Sequence, residues 1–400
     1  MKIAIPDLGF GPFGGYRVLS RLATEWTLSG HDVTFYVPES SPRPYHPTEA
    51  KVEWIGRNGQ RVPAPDNTAP GGIRTSAGKA RELVSIRLGL QRYARDADIV
   101  FASHSFVALT AFLTRTRART VFYSQLYEQP GYAAAPGRRR WGHELLCIAG
   151  YLAPIAHVVN APIYLDYPLT RTRDWVPPGL DWTHFFPSES TTQKSGGVPF
   201  RIGTIGRVEP EKGTRYALEA FRVLRDAGEN VELHVAFGGL DEETLSEPGI
   251  YTRVPAGDAE LGDFYRSVDV HVATPTYQFG APHYPVMEPM ACGIPVVTTG
   301  YLPADDTNAW IVPPHDAQAI ARAILSVRDG PEGTRLKVEK GLADIAPFSW
   351  SAAAEKMMGI FSRVSSRTGA REWARQRMAG NYKGKALRPV MASGRSNHDR

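Results

Sequence analysis

The chain has 400 residues, 42% of them hydrophobic and 22% charged, with 46 Lys and Arg against 41 Asp and Glu for a net charge of +5. This length and composition exclude wholesale disorder and predict two globular domains. Apolar runs are shorter than the roughly 18 residues of a membrane span, the first run ends at Asp7, and only two cysteines are present. We therefore expect no transmembrane helix, signal peptide, disulfide framework or metal site, and a cytoplasmic setting.

The positive charge is concentrated in local arginine clusters. These clusters are Arg115, Arg117 and Arg119; residues 138–140; Arg171 and Arg173; and the tail beyond Arg367. Such an excess suits an anionic substrate or contact with the inner face of a membrane, and it is equally compatible with solvated surfaces. No nucleic-acid motif accompanies the clusters, so a nucleic-acid partner is not predicted, and the sequence does not indicate an oligomeric state.

The N-terminal half opens with a strand, a glycine-rich loop, a helix and a second strand. The apolar run Lys2–Pro6 is followed by a loop that ends in Gly14 and Gly15. Apolar residues then recur at helical spacing as far as Trp26, before a strand over residues 33–37. This βαβ pattern predicts a parallel sheet with helices on both faces. Further strands are predicted at residues 98–103, 120–124, 157–160 and 174–176, whereas residues 38–78 are poorly patterned.

A second α/β unit follows a change in composition. Residues 187–197 are rich in Ser, Thr, Gln, Lys and Gly, which is typical of a linker. Strands are predicted at residues 200–205, 231–236, 268–273 and 295–299, and helices at residues 214–227 and 350–367. We predict an α/β protein with two doubly wound domains, residues 1–187 and 198–348, joined by a linker at 188–197. A C-terminal helical segment at 349–379 and a basic, mobile tail at 380–400 complete the prediction. Ligands of such domains bind at the carboxyl ends of the strands, which here face a central cleft.

Two cations lie on one predicted loop of the second domain. Arg207 comes directly after a strand, and Lys212 lies at the mouth of the following helix. In these positions both side chains can face a diphosphate, assisted by the helix N-terminus. The alternative interpretation is a surface Arg and Lys that flank a turn.

One segment of the second domain combines a carboxylate, Glu288, with a glycine turn at Gly293 and a β-branched strand. Glu288 is predicted at the start of a helix, where a carboxylate can either cap the helix or bind a ligand hydroxyl. Because this helix and the Arg207 loop belong to the same α/β domain, we expect the acid and the two cations on adjacent loops. That combination suits the ribose and diphosphate of a nucleotide.

These motifs resemble, in order along the chain, those of the GT4 family of glycosyltransferases, which have the GT-B fold of two Rossmann-like domains. The matching segments are the loop with Gly14 and Gly15, GHDVT from Gly30, GR from Gly206, EKG from Glu211, EPMACGIPVV from Glu288 and IVPP from Ile311. The N-terminal half is similar to the bacterial rhamnosyltransferase branch at YSQLYE from Tyr123.

The resemblance implies a role for each matching position. Arg207 and Lys212 would neutralise the leaving nucleoside diphosphate beside Gly206, Glu288 would bind the ribose hydroxyls, and His104 would contact the donor sugar. Gly14 and Gly15 would allow close approach of phosphate or acceptor, and Tyr127 and Glu128 would line the acceptor side. The family's first acid, eight residues before Glu288, is replaced by Gly280. The loop of Phe279, Gly280, Ala281, Pro282 and His283 would then hold the donor sugar, with Gln278 or His283 as the substitute side chain.

The implied activity is transfer of a sugar from a nucleoside-diphosphate sugar to a hydroxyl acceptor, such as a glycan or a natural product. The resemblance further implies retention of the anomeric configuration, with no metal or other cofactor. The final helical segment would cross back to the N-terminal domain. The missing first acid leaves open another GT-B enzyme, such as a sugar-nucleotide epimerase or a pseudo-glycosyltransferase. A separate alternative is a non-catalytic partner that binds nucleotide sugar.

Overall fold

The computed structural model describes residues 1–11, 13–66, 76–114, 116–126, 141–188, 197–277 and 279–366, which form two sheets with helices on both faces. The first sheet has the order β4-β3-β2-β1-β5-β6-β7, and only its edge pair β3–β4 is antiparallel. Its strands are β1 Lys2–Pro6, β2 Asp32–Pro38, β3 Lys51–Ile55, β4 Arg61–Val62, β5 Ile99–Ala102, β6 Arg119–Ser124 and β7 Ala156–Val159. The helices around it are α1 Gly14–Leu28, α2 Ser76–Tyr93, α3 Ser105–Phe112 and α4 Trp141–Leu152.

The second sheet is parallel throughout and has the order β10-β9-β8-β11-β12-β13. Its strands are β8 Phe200–Ile205, β9 Val231–Ala236, β10 Ile250–Arg253, β11 Val270–Ala273, β12 Val296–Thr298 and β13 Trp310–Ile311. Its helices are α5 Thr214–Asp226, α6 Glu242–Leu245, α7 Asp258–Arg266, α8 Tyr284–Ala291, α9 Ala317–Asp329 and α10 Pro331–Ile345. The architecture of two doubly wound α/β units confirms the predicted fold class.

The last described helix, α11 Trp350–Ser365, packs on the first sheet although it follows the second one in the chain. The indole Nε1 of Trp26 donates to the carbonyl of Ala354 at 3.2 Å, and the rings of Trp26 and Phe101 lie 5.2 and 5.5 Å from that of Phe361. The apolar face of α11 is therefore part of the first core.

The structure differs from the sequence prediction at two places in the first unit. Residues 174–176 form a single bridge, Val159 with Trp175, rather than a strand. The poorly patterned region 38–78 contributes β3 and β4, which extend the sheet. The predicted basic tail and most of the predicted linker lie outside the described residues. Within the described ranges, no helix has both the length and the low polarity needed to cross a bilayer.

Candidate functional site

The strand order reverses beside β8 in the second sheet, and this switch point positions the candidate site. The chain crosses from β8 to β9 on one side and from β10 to β11 on the other, so the loops after β8 and β11 diverge around a crevice. Ligands of doubly wound sheets bind at this place. Residues 206–213, the loop with both predicted cations, follow β8, and residues 274–283 follow β11.

Glycines let these loops approach one another closely. Gly213 has φ +79°, and a Cβ there would lie 2.0 Å from the carbonyl oxygen of Thr274. A Cβ on Gly206 would lie 1.4 Å from the carbonyl oxygen of Gly238 in the loop after β9. Larger residues at either position would therefore separate the loops. The backbone N–H of Arg207 donates to Thr214 Oγ1 at 3.0 Å, which ties the loop to the start of α5.

Arg207 already has an acidic partner, which the sequence interpretation did not include. Its guanidinium donates to both carboxylate oxygens of Glu209, at 3.0 and 2.6 Å, and this hydrogen-bonded pairing lowers the pKa of Glu209 to about 2. The two side chains are 44% and 39% exposed. An ion pair so open to solvent contributes little to stability, so an anionic ligand can replace Glu209 at small cost.

Lys212 lies in a short 3-10 turn, Pro210–Lys212, on the same loop as Arg207. Burial and the neighbouring charge of Arg207 lower its pKa, against the opposing charges of Glu209 and Glu211. Across the described part of the chain, its ammonium has neither an ion-pair nor a hydrogen-bond partner, whereas Arg207 has Glu209. A half-buried cation that repels a second cation favours binding of an anion between them.

The predicted donor-sugar loop packs against both halves of the protein. Gly280 has φ +83°, its amide donates to the carbonyl of Gly300 at 2.7 Å, and a Cβ there would lie 3.5 Å from Ile163 of the first unit. The Phe279 ring lies 5.9 Å from that of Tyr301, and Ala281 and Pro282 pair with Leu302. The Gly280 amide is therefore already hydrogen-bonded within the protein.

His283 is the one residue of this loop, 279–283, that has a titratable side chain. It occupies the N-cap position of α8, and its ring lies 5.1 Å from that of Tyr301. Burial, assisted by the charges of Lys212 and Arg207, lowers its pKa to about 3. The imidazole is therefore neutral, and its buried Nδ1 has no hydrogen-bond partner among the residues that the structure describes. Gln278, the other substitute considered for the missing acid, lies outside them.

Glu288 is the fifth residue of α8, so the prediction that it begins the helix is wrong. The helix begins at Tyr284, and Pro285 is accommodated in its first turn, where a proline is tolerated. The N-cap residue makes no side-chain hydrogen bond to the helix. The interpretation of Glu288 as a cap fails for the same reason. Glu288 is instead almost fully buried, with 2% of the residue exposed.

A buried polar network surrounds Glu288 and joins the two halves of the protein. Arg17 of α1 donates to Glu288 Oε1 at 3.0 Å and to Asp258 Oδ2 at 2.7 Å, and the Tyr265 hydroxyl donates to Glu288 Oε2 at 2.9 Å. The Arg17 guanidinium also lies 4.9 Å from the centre of the Tyr284 ring. Burial raises the pKa of Glu288 despite the opposing charge of Arg17. A ribose hydroxyl at Glu288 would thus have to share or replace these partners.

The sequence interpretation missed Arg17, Asp258 and Tyr265. A signal for Arg17 was present, because it lies in the first turn of α1, where the helix dipole disfavours a cation and where no acidic residue is present. A cation in that position indicates a partner elsewhere in the fold. Asp258 and Tyr265 had no comparable signal, since an acid at a helix start and a tyrosine on an apolar face are ordinary.

The predicted residues of the N-terminal half lie at the carboxyl edge of the first sheet. A Cβ on Gly14 would lie 3.6 Å from the Tyr284 ring across the cleft, and the carbonyl of Gly15 accepts from Gln125 Nε2 at 3.1 Å. His104 is the N-cap residue of α3, after β5, and its ring stacks on Phe106 at 5.4 Å. Tyr127 and Glu128 lie outside the described residues. The structure therefore brings the Gly14–Gly15 loop to the α8 end of the site, and the role of His104 stays a prediction.

One cavity of about 370 Å³ lies away from this cleft. It is lined by the end of α3, the amino ends of β6 and β7, and Val364 of α11. Because ligands of this architecture bind at the carboxyl edge, the cavity does not belong to the candidate site.

The chain is similar to known proteins both in sequence and in fold. Residues 199–329, which include the Arg207 loop and α8, match the family described as "Glycosyl transferases group 1". The chain is 32% identical over 223 residues to a D-inositol 3-phosphate glycosyltransferase of Corynebacterium jeikeium, covering 47% of this chain and 51% of that protein. It is 24% identical over 387 residues to a GDP-mannose-dependent alpha-(1-6)-phosphatidylinositol dimannoside mannosyltransferase of Mycobacterium tuberculosis, covering 90% and 96% of the two chains.

Among solved structures, sucrose-phosphate synthase of Thermosynechococcus elongatus superposes with a TM-score of 0.70 at 16% identity, covering 91% of this chain and 99% of that one. The match to the first curated relatives spans about half of their length. The rhamnosyltransferase branch stays a prediction. The chain thus has the GT-B fold, and its residues 199–329 are similar to the group 1 glycosyltransferases, which confirms the predicted resemblance to these glycosyltransferases.

Proposed function

We propose that this chain is a glycosyltransferase that moves a sugar from a nucleoside-diphosphate sugar to a hydroxyl acceptor. The observation that carries the proposal is the ammonium of Lys212, which has no direct ion-pair or hydrogen-bond partner among the described residues and lies on the same loop as Arg207 at the switch point of the second sheet. The names of the relatives support it, since they include a glycosyltransferase and a GDP-mannose-dependent mannosyltransferase. In this proposal the second unit binds the donor, and the first unit binds the acceptor.

The chemistry follows from where negative charge develops. The bond between the sugar C1 and the diphosphate oxygen breaks, and the bond between C1 and the acceptor oxygen forms on the same face of the sugar. The leaving diphosphate takes the acceptor proton, and Arg207 and Lys212 stabilise the charge that remains on it. This scheme retains the anomeric configuration and needs neither a side-chain base nor a metal ion. Both properties, like a cytoplasmic location and contact with a membrane face, are part of the proposal.

The test is release of nucleoside diphosphate from a panel of nucleotide sugars, with and without acceptors. Acceptor-dependent release supports transfer, a changed sugar still attached to its nucleotide supports an epimerase, and binding without turnover supports a non-catalytic partner. Arg207→Ala and Lys212→Ala should each lower turnover by about 10²- to 10³-fold. Arg222→Ala is the matched control. It removes an arginine of α5 that forms an exposed ion pair with Glu247, and it should leave turnover unchanged. Full activity in the Arg207→Ala/Lys212→Ala double variant would show that the site assignment is wrong.

A further inference from the structure

Exposed apolar side chains follow three neighbouring strands of the second sheet. Val208 after β8 is 79% exposed, Phe237 after β9 is 45% exposed, and Val254 after β10 is 73% exposed. The three strands are adjacent and parallel, so their carboxyl ends lie at one edge of the sheet. Single exposed apolar residues are ordinary, but a row of three at the ligand-binding edge indicates an apolar ligand surface.

Phe237 also has a backbone conformation that disfavours its side chain. Its φ is +67°, and the next two residues, Gly238 and Gly239, have φ +76° and +78°. Glycine adopts this left-handed region freely, whereas an aromatic residue there is an outlier that persists only where the surrounding structure enforces it. Such outliers concentrate at ligand-binding sites. The position would be less strained as glycine, so the ring is retained at a conformational cost.

The surrounding contacts place this loop directly beside the proposed diphosphate site. The Phe237 amide donates to the Arg253 carbonyl at 2.8 Å, which joins the ends of β9 and β10. A Cβ on Gly239 would lie 2.7 Å from the backbone nitrogen of Arg207. The loop of Phe237 is thus packed against the backbone of the residue that pairs with Glu209. The loop that carries the aromatic ring is therefore adjacent to the loop that carries the two cations.

A ligand that matches this surface must combine an anion with a flat apolar ring. A nucleoside diphosphate has both, because its diphosphate and its base are separated only by a ribose. Bases stack on aromatic side chains with little dependence on base identity. A purely apolar partner would not use the cations, and inorganic diphosphate would not use the apolar row.

We propose that Phe237 stacks on the nucleobase of the donor, with Val208 and Val254 as the apolar flanks of the same surface. The inference rests on the proposed function and adds a specificity residue to it. Because inorganic diphosphate has no base to stack on the Phe237 ring, the protein binds a nucleoside diphosphate more tightly than diphosphate alone.

The test uses Phe237→Gly in the full chain, because glycine removes the ring and also suits the left-handed backbone. The variant should unfold at the same temperature as the wild type or higher. Titration calorimetry with UDP, GDP and ADP should show the affinity for the preferred nucleotide falling by roughly 5- to 150-fold. The affinity for inorganic pyrophosphate should stay within about twofold, since the cations are unchanged.

Two further variants control the experiment. Phe237→Tyr keeps the ring and should retain nucleotide affinity. Tyr251→Ala removes an aromatic residue of similar exposure, 50%, that lies within β10 rather than after it, and should change neither affinity.

Each remaining outcome overturns a definite statement. If Phe237→Gly leaves nucleotide affinity unchanged while Arg207→Ala weakens both nucleotide and pyrophosphate, the stacking inference is wrong and the proposed function stands. If Phe237→Gly weakens pyrophosphate as much as nucleotide, the residue shapes the loop and does not contact the base. If the wild type binds none of these three nucleotides and no dTDP either, the proposed function fails, and the inference fails with it.

Discussion

The ion pair between Arg17 and Glu288 joins two residues that lie 271 positions apart in the chain, and its removal gives the most direct test of the site. Replacing Arg17 by alanine leaves a carboxylate whose side chain is 3% exposed without its cation. Among the described residues, only the Tyr265 hydroxyl then remains as a side-chain hydrogen-bond donor to it. Asp258, the other partner of Arg17, is 29% exposed and can be rehydrated.

The cost of this change follows from burial. Breaking a buried ion pair by removing one partner costs about 3–5 kcal/mol, because the remaining charge is desolvated and uncompensated. We therefore expect Arg17→Ala to lower the free energy of unfolding by about that amount. Arg21→Ala is the control, since Arg21 lies one turn later on α1 with a side chain that is 36% exposed, and its partner Asp181, 12% exposed, keeps hydrogen bonds from the backbone N–H and the hydroxyl of Thr183. Its loss should cost about 1 kcal/mol or less.

Urea unfolding at neutral pH measures both costs, and a double-mutant cycle with Glu288→Gln isolates the pair. A neutral amide needs no cation, so the double variant should regain much of the stability that Arg17→Ala loses. Burial raises the pKa of Glu288. The folded state of Arg17→Ala should therefore hold the Glu288 proton more tightly than the unfolded state does. The deficit relative to wild type should shrink as pH falls towards the ordinary glutamate range near about 4.3. A cost below about 1 kcal/mol together with no coupling to Glu288 would refute the reasoning.

Three further predictions concern the second unit. Glu209→Gln removes the competitor for Arg207 and should raise affinity for a nucleoside diphosphate by about 1.5- to 5-fold in calorimetry, whereas Glu211→Gln, which leaves the pair of Arg207 with Glu209 in place, should change it less. Burial lowers the pKa of His271 to about 3. The unfolded state therefore binds the proton at a higher pH than the folded state does, so the free energy of unfolding is unaffected above about pH 6.5 and falls as the pH is lowered. This loss should reach roughly 2 kcal/mol by pH 5, and an equal pH slope in His271→Leu would contradict it. Gly213→Ala should destabilise the protein more than Gly228→Ala in thermal unfolding, because both glycines have positive φ but only at Gly213 would the added Cβ lie 2.0 Å from the carbonyl oxygen of Thr274.

The interior strands were predictable because they are nearly continuous apolar runs. The bounds of β1, β8 and β9 agree with the sequence prediction, since strands of a parallel sheet are covered on both faces. The edge strands β4, β10 and β13 were not predicted. In β10 only Ile250 is buried, and β13 has two residues, so neither has the pattern of a covered strand.

The local part of the site was predictable, and the part made by tertiary contact was not. Arg207 and Lys212 lie on one loop, only five positions apart in the sequence, so their proximity could be predicted without knowledge of the tertiary structure. The partner of Glu288 comes from α1, and nothing in the sequence around Glu288 indicates Arg17. The start of α8 at Tyr284 was also missed, because a proline occupies the second position of the helix.

The return of α11 to the first sheet has a consequence for synthesis of the chain. Trp26 and Phe101 contact Phe361, so the first core is incomplete until that residue has left the ribosome. At typical rates of about 5–20 residues per second, the roughly 175 residues that follow the first unit delay this event by roughly 9 to 35 s. During that interval the surface that α11 will cover is open to water. A fragment that ends at residue 187 should therefore need a chaperone or aggregate, although it contains every strand of its own sheet.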